Sequence, residues 1–161
     1  MIEHKAVEKW PYVEYCLSNK PRIFLAGSIE QGVAENWQDK VVRLLADRDV
    51  VFLNPRREKW DSSWKQSIDN PQFFEQVNWE LDALEKATHI LMYFDPNTKS
   101  PISLLELGLF ARSYKMIVIC PEGFWRKGNV DVVCGRYCVK QLNSLDEFIE
   151  NFDNIINHDT K

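Results

Sequence analysis

At 161 residues the chain supports one domain with a proper core and leaves no comfortable room for a second. Hydrophobic residues make up 45% and charged residues 27%; the net charge of -4 and pI near 5.4 exclude the basic surplus that usually grips a nucleic-acid polymer. No run approaches the ~18 apolar residues of a membrane span, and the opening MIEHKAVEKWPYVEY has acids from residue 3 and no apolar core, so neither a membrane partner nor a secretory leader is expected.

The four cysteines, Cys16, Cys120, Cys134 and Cys138, lack a disulfide-framework spacing. Cys134 and Cys138 form a C-x3-C, but no second pair or nearby His completes a zinc set. Reduced thiols in a cytoplasmic protein without a metal site are the expectation. Residues 1–20 read as an amphipathic extension, and residues 21–161 as a single domain.

The first strand expected is Arg22 to Ala26 (RIFLA), apolar throughout as in a sheet covered on both faces. It turns through Ala26-Gly27-Ser28-Ile29-Glu30-Gln31-Gly32, where the amides could bind phosphate or sugar oxygens. This turn is neither a G-x-G-x-x-G nor a Walker sequence, which disfavours NAD(P) and ATP as cofactors. A helix over Glu35 to Ala46 places Trp37, Val41, Leu44 and Leu45 on one face. The strand Val50 to Leu53 ends at Asn54-Pro55, and the long segment Asn54 to Pro71 carries Arg56, Arg57, Trp60 and Trp64. Arginine can hold an anion or stack on a base, and indoles can face one. A solvated loop whose two tryptophans close the core is the first reading of this segment, and the six tryptophans in this length move the balance toward a flat aromatic ligand.

The helix Phe73 to Lys86 should turn Phe73, Val77, Leu81 and Leu84 inward. Glu80, three after Val77 and four before Leu84, falls on that stripe, either facing a ligand or extending to solvent. A strand His89 to Phe94 follows, then a helix Leu104 to Tyr114 that is apolar almost all round and should be buried. Within it Glu106 is a lone carboxylate among leucines. Burying a charge needs partners or a function. The nearby helix start is expected to keep it ionised and nucleophilic. A capping box, Ser103-x-x-Glu106, is the structural alternative. The strand Met116 to Cys120 leads into a second long segment, Pro121 to Tyr137, and a final helix from the Ser144 cap to about Asn157. His4, His89 and His158 lie in no nucleophile-elbow pattern, so Ser or Cys hydrolase chemistry is unsupported. The alternation implies an α/β fold with a mostly parallel sheet and right-handed crossovers. Both long segments follow carboxyl ends of strands, where such sheets bind ligands.

An ordered series of segments spans Arg22 to Tyr137: FLAGSI, NPRR with a following Trp-Asp, Asn-Trp-Glu, ILMYFDP, SPISLLELG and PEGFWRKGNVD. The series resembles the nucleoside 2-deoxyribosyltransferases, in particular a type 2 branch of that superfamily. The resemblance implies a flavodoxin-like three-layer sandwich with a mostly parallel five-stranded sheet, and no cofactor. It implies that Glu106 attacks C1′ of a 2′-deoxynucleoside, expels the base and holds the sugar as an ester until a second base takes it with net retention. Glu80 matches the helix carboxylate that handles the nucleobase, where Asp is usual. Ser100 stands where better-known members carry an Asp that holds the sugar. Gly27, Ser28, Asn54, Arg57 and Trp60 are the further substrate-binding candidates. Asn129 resembles a residue lent to a neighbouring subunit's pocket, which implies a homo-oligomer. The implied partners are a nucleoside or nucleotide and a free nucleobase. Three other readings stay open: an N-glycohydrolase of 2′-deoxynucleosides or their 5′-monophosphates, cleavage of NAD with the same Glu, and a catalytically silent nucleotide-binding module.

Overall fold

In the computed structural model, residues 1–6, 19–29, 35–57 and 63–158 are described. Six strands form one sheet: β1 (Ile2–Lys5), β2 (Arg22–Gly27), β3 (Val51–Asn54), β4 (His89–Tyr93), β5 (Met116–Ile119) and β6 (Lys140–Leu142). Their order is β1-β3-β2-β4-β5-β6 and every pairing is parallel. The helices are α1 (Trp37–Leu44), α2 (Pro71–Lys86), α3 (Pro101–Phe110), α4 (Lys127–Tyr137), α5 (Leu145–Glu150) and α6 (Phe152–His158). The class is the flavodoxin-like one, with six parallel strands in place of the five expected.

Alternation along the inner strands divides the core in two. Phe24, Ala26, Leu53, Ile90, Met92 and Val118 pack under α2, α3 and α4. Ile23, Leu25, Phe52, Leu91, Ile117 and Ile119 pack under α1, α5 and α6. Because both faces are covered, β2 to β5 are apolar throughout, which is why these four were legible as strands. The two added strands lie at the sheet edges. β1 pairs with β3, from Ile2 opposite Val51 to Lys5 opposite Asn54. Short, partly polar edge strands carry no continuous apolar run.

Several helices differ from the sequence expectation. Pro121 to Tyr137 is a tight turn followed by α4, held by buried Val130 and Cys134. The carboxyl-terminal helix starts at Ser144 as expected, its Oγ accepting from Glu147 N at 3.1 Å, but it breaks at Asn151 into α5 and α6. Leu44 is exposed, and α1 instead buries Trp37, Gln38, Val41 and Val42. In α2 the inward residues are Gln76, Trp79, Ala83 and Leu84, with Leu81 turned out. α3 is not buried all round: Ile102, Leu105 and Leu109 are 60%, 60% and 58% exposed.

The chain leaves β2 through α1 on one face and returns from β3 through α2 on the other. The order therefore reverses between β2 and β4, the point where open parallel sheets bind ligands beyond their carboxyl ends. Among the described residues no helix is long and apolar enough to cross a membrane. Cys120 and Cys134 are buried free thiols and Cys138 is an exposed one; Cys16 lies outside the described residues.

Candidate active site

The reversal point is laced by hydroxyl groups. β2 ends at Gly27, whose φ of +128° and contact with β4 leave no room for a side chain: an added Cβ would lie 2.1 Å from Tyr93 O. The next residue, Ser28, is buried; its N–H donates to Tyr93 O at 2.9 Å and its carbonyl accepts from Trp37 Nε1 at 3.0 Å. Ser28 Oγ accepts from Asp95 N at 2.9 Å and lies 2.9 Å from Thr98 Oγ1 and 2.6 Å from Ser100 Oγ. Thr98 Oγ1 and Ser100 Oγ close the triangle at 2.7 Å, and Thr98 donates to Asp95 O at 2.9 Å. Ser100 is the N-cap of α3 with φ +45°, and its hydroxyl joins the triangle in place of capping the helix. The helix therefore starts at Pro101, one turn earlier than a Ser103 cap would place it. Ser103 sits inside α3, so the capping-box alternative for Glu106 does not describe this helix.

The carboxyl groups come from the neighbouring helices. Glu80 lies on the inward side of α2, beside buried Trp79 and four residues after buried Gln76. Glu106 lies in the second turn of α3, beside sheet-facing Leu107, and is half-buried. Burial first, and the Glu80 charge second, push the Glu106 carboxyl up to about 8. Burial thus works against the ionised form expected of Glu106 from its place near a helix start. Burial also raises Glu80, opposed by a hydrogen bond from Gln76 and by the charge of Arg57. Burial thus favours the protonated form of each carboxyl.

Arg57 completes this cluster from the segment after β3. Its Nε donates to Gln76 Oε1, and its guanidinium lies over the Trp64 ring, 5.1 Å from the centroid. Gln76 Nε2 in turn donates to Glu80 Oε1 at 2.6 Å and to Pro55 O at 3.3 Å. Burial lowers the Arg57 pKa, against the charges of Glu75 and Glu80.

Of the sequence candidates, Gly27, Ser28 and Ser100 meet at the reversal point, and Arg57, Glu80 and Glu106 meet between the segment after β3, α2 and α3. Asn54 is buried at the end of β3, where it donates to Glu3 Oε1 at 2.8 Å and accepts from Arg56 N at 3.0 Å. Asn129 is exposed in the first turn of α4 and belongs to neither cluster. Trp60 lies outside the described residues. His89 is buried, its Nδ1 2.9 Å from Thr88 Oγ1, which agrees with a structural role. Sequence reasoning missed Gln76, Asp95 and Thr98. Gln76 stands one helical turn before Glu80, and the Asp-Pro-Asn-Thr turn follows the carboxyl end of β4; either position was a signal. Among the described residues no group of three or more His, Cys, Asp or Glu could hold a metal ion.

Comparison with known proteins gives a likeness of fold and a family. A conserved protein from Enterococcus faecalis V583 superposes with a TM-score of 0.58 at 11% identity, over 84% of this chain and 99% of that one, a likeness of fold alone. No curated protein matches the chain. The sequence model of a family described as nucleoside 2-deoxyribosyltransferase like matches residues 20–124, well over half of the chain and including both carboxyls, the hydroxyl triangle and Arg57. The chain belongs to the nucleoside 2-deoxyribosyltransferase-like family.

Proposed function

We propose that the protein is an enzyme that moves a 2-deoxyribosyl group between nucleobases through an ester on Glu106. The observation that carries this reading is the pair of half-buried carboxyls, Glu80 and Glu106, near enough for the charge of Glu80 to act on Glu106, on two helices of the layer beside the strand-order reversal. With one proton between them, such a pair supplies both a nucleophile and an acid. In the active form Glu106 is ionised and Glu80 protonated. A Glu106 carboxylate oxygen forms a bond to C1′, the C1′–N bond breaks with its electron pair on the base, and Glu80 gives that nitrogen its proton. An incoming base then attacks C1′ from the face the first one left, releases the Glu106 carboxylate and returns a proton to Glu80. No redox cofactor is called for in this sequence.

The hydroxyl triangle supports a sugar ligand. Thr98 commits its hydrogen to Asp95 O, leaving Ser28 and Ser100 two hydrogens for three oxygen–oxygen contacts. A cluster of neutral hydroxyls suits a sugar hydroxyl better than a phosphate. Arg57 and Trp64 offer a cationic and an aromatic surface for the base. Homo-oligomerisation is supported by the exposed stripe Ile102, Leu105 and Leu109 on α3 and by exposed Asn129 on α4, an element of the same layer. The free thiols suit a cytoplasmic setting.

The test incubates the protein with thymidine or deoxyadenosine, with and without a second free base, and follows products by chromatography. A new nucleoside supports transfer. Free base formed equally with or without acceptor would replace the proposal with hydrolysis, and binding without turnover would replace it with a silent module. Parallel arms with deoxynucleoside monophosphates and NAD test those substrates directly.

A further inference from the structure

The amide of Gln76 has only one orientation open to it. Arg57 has donors and no acceptor, so Gln76 must present Oε1 to it. The other end then points Nε2 at two acceptors, Pro55 O and Glu80 Oε1, and uses both amide hydrogens. Gln76 is only 2% exposed, so water does not compete for these bonds. A non-titrating donor fixed against Glu80 favours its ionised form and has no proton to give.

We propose that Gln76 is a positioning residue that, locked by Arg57, keeps Glu80 the charged member of the carboxyl pair in the resting protein and leaves the shared proton on Glu106. The inference rests on the transferase reading for its purpose but not for its test. A protonated Glu106 is a poor nucleophile, so the site is at rest until a substrate shifts the proton. With a base present, Glu80 has a new acceptor for a proton beside it; the proton moves from Glu106 to Glu80 and on to the leaving nitrogen, and Glu106 becomes the attacking carboxylate. The charged groups acting on the pair come from three places: Arg57 after β3, Glu75 and Glu80 on α2, and Glu106 on α3. Glu75 acts through Arg57 and strengthens its hold on the charge.

The experiment reads the proton directly, without substrate. The carboxylic C=O infrared band of Glu106, assigned by its loss in Glu106→Gln, is titrated in the wild-type protein and in Gln76→Met, which keeps the volume and removes all three hydrogen bonds. Without its donor Glu80 takes the proton, its charge no longer opposes ionisation of Glu106, and the Glu106 midpoint falls. We expect a drop of at least tenfold in Glu106 proton affinity, with the same displacement in the upper limb of the kcat/KM profile. An unchanged midpoint in Gln76→Met overturns the proposal. Should that variant fail to fold, Arg57→Met gives the same readout, because it frees the amide to turn, and an unchanged midpoint there is equally fatal. A wild-type protein that transfers no sugar would remove the catalytic reading while the titration still decides the role of Gln76.

Discussion

Glu106 combines two properties that work against each other. Held at about 8 in the folded chain against an ordinary value of 4.5, it binds a proton that the unfolded chain has released. The native state therefore gains stability from this group below the ordinary value and loses it as pH climbs from there to about 8. Glu106→Gln keeps the shape without the ionisation, so it should be more stable than wild type above pH 8 by up to a few kcal/mol. Urea unfolding at pH 5 and pH 8.5 checks this, and an equal difference at both would contradict it. The same variant should lose on the order of 10⁴-fold in kcat, because nothing nearby substitutes for the ester-forming oxygen. Gly27 acts through the backbone alone. Gly27→Ala would need a Cβ 2.1 Å from Tyr93 O at a φ that disfavours side chains, and should cost about 2–4 kcal/mol in unfolding free energy. The partial burial of Glu106 was legible in its sequence because a lone acid among leucines is conspicuous. Its protonation was not, since that depends first on burial and then on the charge of Glu80, 26 positions away in the chain, both set only by folding.

At the level of elements, the legible ones were those whose environment is simple. Strands buried on both faces, and the α5 start with its Ser144 cap, declare themselves locally. α4 did not, because Gly128 and Gly135 lower its helix propensity and its formation rests on Val130 and Cys134 reaching the core. α3 misled in the opposite sense. Its composition implies burial all round, yet it packs on the sheet through Ser103 and Leu107 and presents Ile102, Leu105 and Leu109 outward. An apolar helix face of this kind suits the proposed association of subunits. Leu109→Glu should shift the protein toward the monomer in sedimentation velocity while leaving its unfolding free energy within about 0.5 kcal/mol, as for other exposed positions. An unaltered sedimentation coefficient would count against assembly through α3.

For the whole molecule, topology decides where the candidate site sits. Reversal of strand order between β2 and β4 brings together Ser28 and Ser100, 72 positions apart, and the change of face between α1 and α2 puts Glu80 on the same layer as Glu106. The location beyond the strand ends could be read from alternating elements alone; the joining of the loops by three hydroxyls could not, because serines and threonines are common in any turn. With activity requiring one proton on the pair, kcat/KM should decline above about pH 8 as that proton is lost. A profile flat from pH 6 to 10 would show that the proton for the leaving base comes from elsewhere.

β1 ties the amino terminus to the chemistry. Glu3 in this edge strand holds the Asn54 side chain, which also accepts from the amide of Arg56, next to the arginine that orients Gln76. Any change that displaces β1 from the sheet edge therefore acts first on the segment after β3 and through it on the contact between Arg57 and Gln76.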